Sequence, residues 1–181
     1  MSDLAWETLA SETDYDCPGF SVTRDRVRLP EGSTTEFHYV DEPESVVIVP
    51  FTPEGEVVVI EEWRQAVDRV NLGFPAGNAE PDDDDLAAGA HRELREETGY
   101  VADEVEYLAA AEPANGIASS VNHYFVARDC IRNGGQDLDG DESIRTDTTT
   151  MDRLRERLRE GDLRDGRSAL GVFYYDLLGD T

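Results

Sequence analysis

The chain contains no lysine: all 16 of its basic residues are arginine, against 41 aspartates and glutamates, for a formal net charge of −25. So little positive charge argues against nucleic acid as a partner, because phosphate backbones are met by basic patches. It also says something about the solvent. Like charge at this density repels itself and weakens the compact state at ordinary ionic strength. Concentrated salt screens it, the Debye length shrinking to about 3 Å at 1 M, so the composition reads as adaptation to a salt-rich (halophilic) cytoplasm. Cysteine is scarce too. Cys17 and Cys130 stand alone with no CxxC spacing, and each is expected to be a small core residue rather than half of a redox or metal motif. No apolar run approaches the roughly 18 residues of a membrane span. The opening MSDLAWETLASETDYD lacks the basic and apolar regions of a signal peptide, so the expected setting is cytoplasmic.

What is present is enough for a core: 39% hydrophobic residues over 181 positions, with seven Tyr, six Phe and two Trp, a composition that fits a folded globular chain. SVTRDRVRLP and TTEFHYVD alternate apolar and polar residues and predict an N-terminal β-hairpin around PEGST. SVVIVPFTPEGEVVVIEEWR predicts a second hairpin whose continuous apolar runs require cover on both faces. A Gly/Pro/Asp loop, NLGFPAGNAEPDDDD, gives way at Asp85 to a helix with Leu86, Ala90 and Leu94 at four-residue spacing, stopped by Gly99. EVEYLAAAE and NHYFVARDC read as two more strands, and IRNGGQDLDGDESIRT as a long polar loop, a kind of segment that is often functional. Two helices close the chain. One runs from Met151 behind a Thr150 cap to about Gly161, the other from about Ser168 to Leu178 with Leu170, Phe173 and Leu177 on one face. The expected class is α/β or α+β, a sandwich with a mixed β-sheet.

Within the middle helix, HRELREETGY sets Glu93, Glu96 and Glu97 in a sector roughly 100° wide, bordering the apolar stripe. By helical position Arg92 and Arg95 fall outside that sector. Crowded carboxylates raise one another's pKa, and such an arrangement suits hard divalent cations, typically Mg²⁺ with phosphate oxygens. Other residues carry less. DLDGDE faintly resembles a calcium loop, but its glycine comes at the fourth position instead of the sixth. His38, His91 and His123 are too scattered for a zinc site, and His123 reads as a packed strand residue. Trp63 could stack on a base, but beside an apolar strand it reads as core.

The stretch from Gly77 to Tyr100, GNAEPDDDDLAAGAHRELREETGY, closely resembles the Nudix box. Arg92-Glu93-Leu94-Arg95-Glu96-Glu97-Thr98-Gly99 fits its second half at every position. Three departures occur: Asp84 stands seven residues before Arg92 where the family has Glu, the loop from Gly77 holds one extra residue, and Tyr100 replaces the final aliphatic. The resemblance implies that Asp84 and Arg92 form a structural pair. It extends from about residue 37 onward to the ADP-ribose and nucleotide-sugar pyrophosphatase subgroup, with Gly73 where many members have Glu and Asn115 where ADP-ribose hydrolases have proline. It divides the chain into N-terminal strands, residues 1–43, implied to pair two subunits in a homodimer, and a Nudix domain over 44–181.

The resemblance implies Mg²⁺, with Mn²⁺ as a substitute, held by Glu93, Glu97, Glu96 and the backbone carbonyl of Ala76, with Glu96 close to the chemistry. Glu142 would be the general base that deprotonates the attacking water, with Asp139 and Asp141 as alternates. Arg64 would grip a phosphate, since its planar fork suits phosphate oxygens; pairing with Glu61 or Glu62 is the competing reading. The implied reaction splits a nucleoside diphosphate linked to another moiety, ADP-ribose or a nucleotide sugar, into a nucleoside monophosphate and a sugar phosphate. A Nudix-fold sensor that does not hydrolyse its ligand, and a hydrolase of (d)NTPs or dinucleotides, are the alternatives.

Overall fold

The computed structural model describes residues 3–140 and 142–179. Its contacts group the chain into two units, Met1–Pro43 with Glu112–Val121, and Glu44–Ala111 with Asn122–Thr181. The first unit contains an antiparallel sheet of three strands, β1 (Glu7–Cys17), β2 (Phe20–Arg28) and β3 (Thr34–Asp41), in that order. The β2–β3 hairpin follows the sequence, turning at Gly32 with φ at +95°. Strand β1 does not: ETLASETDYDC has almost no buried position, so no amphipathic alternation marks it. Arg24 on β2 ties the three strands together, reaching Glu12 (2.6 Å) and Asp14 (3.1 Å) on β1 and Glu36 (3.1 Å) on β3. The segment 112–121 joins this unit through Val40 N–H to Ile117 O (2.8 Å) and Ser119 N–H to Val40 O (2.9 Å). Cys17 is only half-buried, its Sγ donating to Phe20 O, so it is not the core residue expected; Cys130 is, at 1% exposure.

The second unit runs β4 (Ser45–Pro50), β5 (Val57–Arg64), β6 (Arg69–Gly73), β7 (Ala76–Asn78), α1 (Leu86–Thr98), β8 (Tyr100–Val101), β9 (Val105–Ala111), β10 (Asn122–Ala127), β11 (Ile131–Arg132), β12 (Ile144–Thr149), α2 (Met151–Glu160) and α3 (Gly166–Leu178). The expected β4–β5 hairpin forms only at its turn, where Thr52 N–H bonds Glu56 O (2.8 Å) and Phe51 bridges Val57. Beyond the turn the strands part. β4 lies between β7 and β10 in the mixed sheet β7-β4-β10-β9, pairing parallel with β10, and β5 lies between β12 and β6 in an antiparallel sheet. A strand with a partner on each edge has no ladder left for its neighbour in sequence.

Burial on both faces of β4 is satisfied by helices. Val47 and Val49 share one core with Tyr124, Val126, Val57 and Val59, and with Met151, Leu154 and Val172 from α2 and α3. Val46 and Ile48 share the other with Phe125, Ala127 and, from α1, Ala90 and Leu94. Each such side chain contributes about 1.5–3 kcal/mol relative to exposure. The result is the expected helix–sheet–helix sandwich, and it matches the anticipated fold class. Three local expectations differ. The polar loop after β10 ends in β12, where IRTDTT pairs with β5. Helix α3 buries Ser168, Gly171 and Val172, while Phe173 and Leu177 are 54% and 75% exposed. Gly171 lets Phe74 approach to where a Cβ would be 2.9 Å from its ring, so this helix rests on its small-residue face. Trp63 is not core but 43% exposed. No helix among the described residues is long and apolar enough to cross a membrane.

Candidate active site

Helix α1 is fixed at both ends. Asp85 caps it by accepting from Ala88 N–H (2.9 Å), and Gly99, with φ at +73°, turns the chain back so that its N–H reaches Arg95 O. A Cβ at Gly99 would stand 2.7 Å from Gly134 O, so glycine is needed for two reasons. The last carbonyls of the helix then capture the following loop. Gln136 Nε2 donates to Glu97 O (2.6 Å), Asp137 N–H to Glu96 O (2.9 Å) and Asn133 N–H to Gly99 O (2.9 Å). Helix-end carbonyls left without partners inside the helix thus hold Asn133, Gln136 and Asp137 against the C-terminal end of the helix that carries the glutamates.

Glu93 and Glu97 are buried, at 8% and 2% exposure, on the flank that carries Ala90 and Leu94. Strand β7 lies against them. Ala76 N–H donates to Glu97 Oε2 (2.8 Å), and Gly77 leaves a space that Glu93 fills: a Cβ there would be 2.2 Å from Glu93 Oε1. Strand β5 presents Glu62 and Arg64 on one side by its two-residue alternation, and the two form an ion pair of 2.7 Å. The loop contributes Asp137, Asp139 and Glu142. Glu142 folds back so that its carboxylate accepts from Asp139 N–H (3.0 Å). A polar cavity of about 490 Å³ collects Arg64, Ala76, Glu93, Glu96, Asp139 and Glu142, with Asp137 and Arg167 also on its wall. Asp141 lies outside the described residues.

Arg92 corrects two expectations. Its partner is Asp83, not Asp84: Nε reaches Oδ1 at 3.1 Å and Nη2 reaches Oδ2 at 3.0 Å, while Asp84 is exposed. The extra loop residue therefore sits between this aspartate and the helix, so counting forward from Gly77 finds the partner and counting back from Arg92 misses it. Nor do Arg92 and Arg95 point away from the glutamates. Arg92 Nη1 donates to Glu93 (2.8 Å) and Glu96 (3.2 Å), and Arg95 Nη2 to Glu96 (2.9 Å). The Arg92–Glu96 contact is the ordinary four-residue pair of a helix, and the two adjacent-residue contacts depend on the length of the guanidinium arm.

Burial dominates the electrostatics. It pushes the Glu97 carboxyl up to about 8, against the pull of the Ala76 N–H, with Glu93, Glu142 and Glu62 adding repulsion. Glu93 is raised by burial and partly restored by Arg92, and Glu62 is raised by burial and restored by Arg64 and Arg167. The sequence expected mutual repulsion to lead; loss of water leads instead. Buried oxygen donors of this kind suit a hard divalent cation, and the glycine cradle at position 77 holds one of them in place. Among the described residues, no three acidic, histidine or cysteine side chains already converge as a ready-made metal cluster, Arg92 being bound to Glu93 and Glu96.

The cavity thus gathers Glu93, Glu96, Ala76, Arg64, Glu142 and Asp139, with Glu97 beside them. Of the two partners the sequence offered Arg64, Glu62 is the one it meets; sequence reasoning did not place Glu62 beside the site, and it missed Arg167 altogether. The alternation of Glu62 with Arg64 was a usable signal. Arg167 had none, since it comes from α3, more than sixty residues beyond the glutamates in sequence.

Comparison with known proteins gives four results. A model of the NUDIX domain matches residues 41–163. The methanol dehydrogenase activator of Bacillus methanolicus is 30% identical over 172 residues, covering 94% of this chain and 92% of that protein. An ADP-ribose pyrophosphatase of Bacillus subtilis (strain 168) is 26% identical over 178 residues, covering 98% and 96%. A crystal structure of an ADP compounds hydrolase shares the fold, with a TM-score of 0.84 at 23% identity over 98% of this chain and 95% of that one.

Proposed function

The chain belongs to the NUDIX family, and from that premise we propose that it is a Mg²⁺-dependent hydrolase of ADP-ribose or a closely related nucleoside diphosphate joined to a sugar. The carrying observation is the burial of two carboxylates, Glu93 and Glu97, at the edge of a polar cavity that also holds Arg64 and Glu142. The relative named ADP-ribose pyrophosphatase, aligned over nearly its whole length, supports the substrate class.

In this reading Glu93, Glu97, Glu96 and the Ala76 carbonyl would hold the cation. Bound there, it neutralises phosphate charge and acidifies water. Arg64, already beside Glu62, grips a phosphate with its planar fork. Glu142 takes the proton of the attacking water as its oxygen bonds to phosphorus and the bridging P–O bond breaks. Glu142 shares the cavity with Glu93 and Glu96, and Asp139 on the same wall is its alternate. Asp83 and Arg92 hold the helix and its glutamates in register. Exposed Tyr15, Phe20 and Phe37 of the N-terminal sheet, with Trp6 just before it, support its use in pairing two subunits, which sedimentation of the intact protein would check.

Incubation with ADP-ribose, nucleotide sugars, NADH and dNTPs, with Mg²⁺ at high salt, tests the reading. AMP and ribose 5-phosphate are expected from ADP-ribose. Faster turnover of dNTPs or NADH would move the substrate class. No product from any of them would favour a ligand sensor, the reading to which a relative named as an activator of another enzyme lends weight.

A further inference from the structure

We propose that Arg167 binds substrate, forming with Arg64 a two-armed clamp that selects a diphosphate over a monophosphate. The inference rests on the diphosphate-hydrolase reading and adds a residue from beyond the matched segment 41–163. Three arginines line the cavity: Arg64, Arg92 and Arg167. Arg92 is occupied, with Asp83, Glu93, Glu96 and Glu80 all within 3.6 Å. Arg64 has Glu62. Among the described residues, the ion-pair partner of Arg167 is Asp165, at a marginal 3.9 Å. Five N–H donors in a planar fork are therefore largely unspent on a wall otherwise crowded with carboxylates.

Arg167 is also held in place. Ser168, 1% exposed, donates its Oγ–H to Asp165 Oδ2 (2.5 Å) and accepts from Phe74 N–H (2.8 Å). Asp165 in turn accepts from Ser168 N–H (2.9 Å). These bonds lock the start of α3 to the end of β6. Gly73 makes room for the lock, since a Cβ there would be 2.7 Å from Ser168 Oγ and 3.3 Å from Asp165 Oδ2. Two guanidiniums brought to one cavity repel each other, and Arg167 helps to lower the pKa of Arg64. An anion with oxygens for both forks relieves that repulsion. A diphosphate has a set for each arm, and a monophosphate for only one.

Arg167→Gln and Arg167→Lys test this. In Arg167→Gln, KM for ADP-ribose should rise about tenfold with kcat within about threefold of wild type. Calorimetric binding of inorganic pyrophosphate without divalent metal should weaken about tenfold, and that of inorganic phosphate much less. Arg167→Lys keeps the charge without the fork and should recover part of both. Unchanged KM and unchanged pyrophosphate binding in Arg167→Gln would overturn the clamp, as would equal weakening of phosphate and pyrophosphate. Should Arg167→Gln fail to fold, Arg167→Lys decides alone: pyrophosphate binding at wild-type strength sinks the proposal. If the wild type hydrolyses no diphosphate, the functional reading fails, and the pyrophosphate measurement still judges Arg167.

Discussion

A side chain at position 77 and the carboxylate of Glu93 exclude one another: a Cβ built on Gly77 would lie 2.2 Å from Glu93 Oε1 and 2.3 Å from its Cδ. The obstructing atoms are the far end of a flexible side chain, so the fold can yield while the site cannot. Gly77→Ala is expected to lower kcat by at least about tenfold while shifting the melting temperature by no more than about 2 °C. A fully active Gly77→Ala would show that the placement of Glu93 is irrelevant.

Glu97→Gln separates chemistry from stability. The amide keeps the shape and an acceptor for Ala76 N–H but cannot give a cation a carboxylate, so kcat should fall by roughly 10² or more with no loss of melting temperature in chelator. Turnover near the wild-type value would remove Glu97 from the metal assignment.

The same residue sets a pH dependence. Its carboxyl is moved from an ordinary 4.5 to about 8 by burial, so the folded chain retains a proton that the unfolded chain releases. Stability from this source is complete below the unfolded value and is lost as pH rises through the folded one. In chelator, the melting temperature of the wild type should therefore decline between about pH 5 and pH 8.5. Glu97→Gln should flatten that decline, and an equal slope in both proteins would contradict it.

Neighbouring aspartates should behave differently. Asp83 makes two bonds to a largely buried Arg92, so Asp83→Asn is expected to cost about 1.5–3 kcal/mol in denaturant unfolding. Exposed Asp84 makes no such pair, and Asp84→Asn should stay within about 0.5 kcal/mol. Reversed costs would restore the pairing expected from the sequence.

Salt is the remaining test. With a net charge of −25, the melting temperature should climb as KCl is raised toward molar concentrations. A curve that does not climb removes the halophilic reading.

What could be read from the sequence was local and periodic. The spacing of Leu86, Ala90 and Leu94, the caps at Asp85, Thr150 and Gly99, and the glutamates at 93, 96 and 97 all depend on residues a few positions apart, where helical geometry is fixed. What escaped depended on long-range partners. Strand β1 has no buried face to betray it, and the divergence of β4 from β5 is decided by β10 and β12, far along the chain. Arg167 arrives at the cavity only because Ser168 meets Phe74. The exchange of Asp83 for Asp84 shows the limit of counting, because one inserted residue can lie on either side of a loop aspartate.

The parallel pairing of β4 with β10 has a consequence for biosynthesis. Ser45 meets Asn122, so the most apolar strand of the chain, Val46–Val49, leaves the ribosome long before the partner that covers one of its edges exists. Contacts this distant form late and expose strand edges meanwhile. Fragments ending before about residue 120 should therefore aggregate even in strong brine, and the turn at Thr52–Glu56, which needs nothing distant, should be among the first native structures to form.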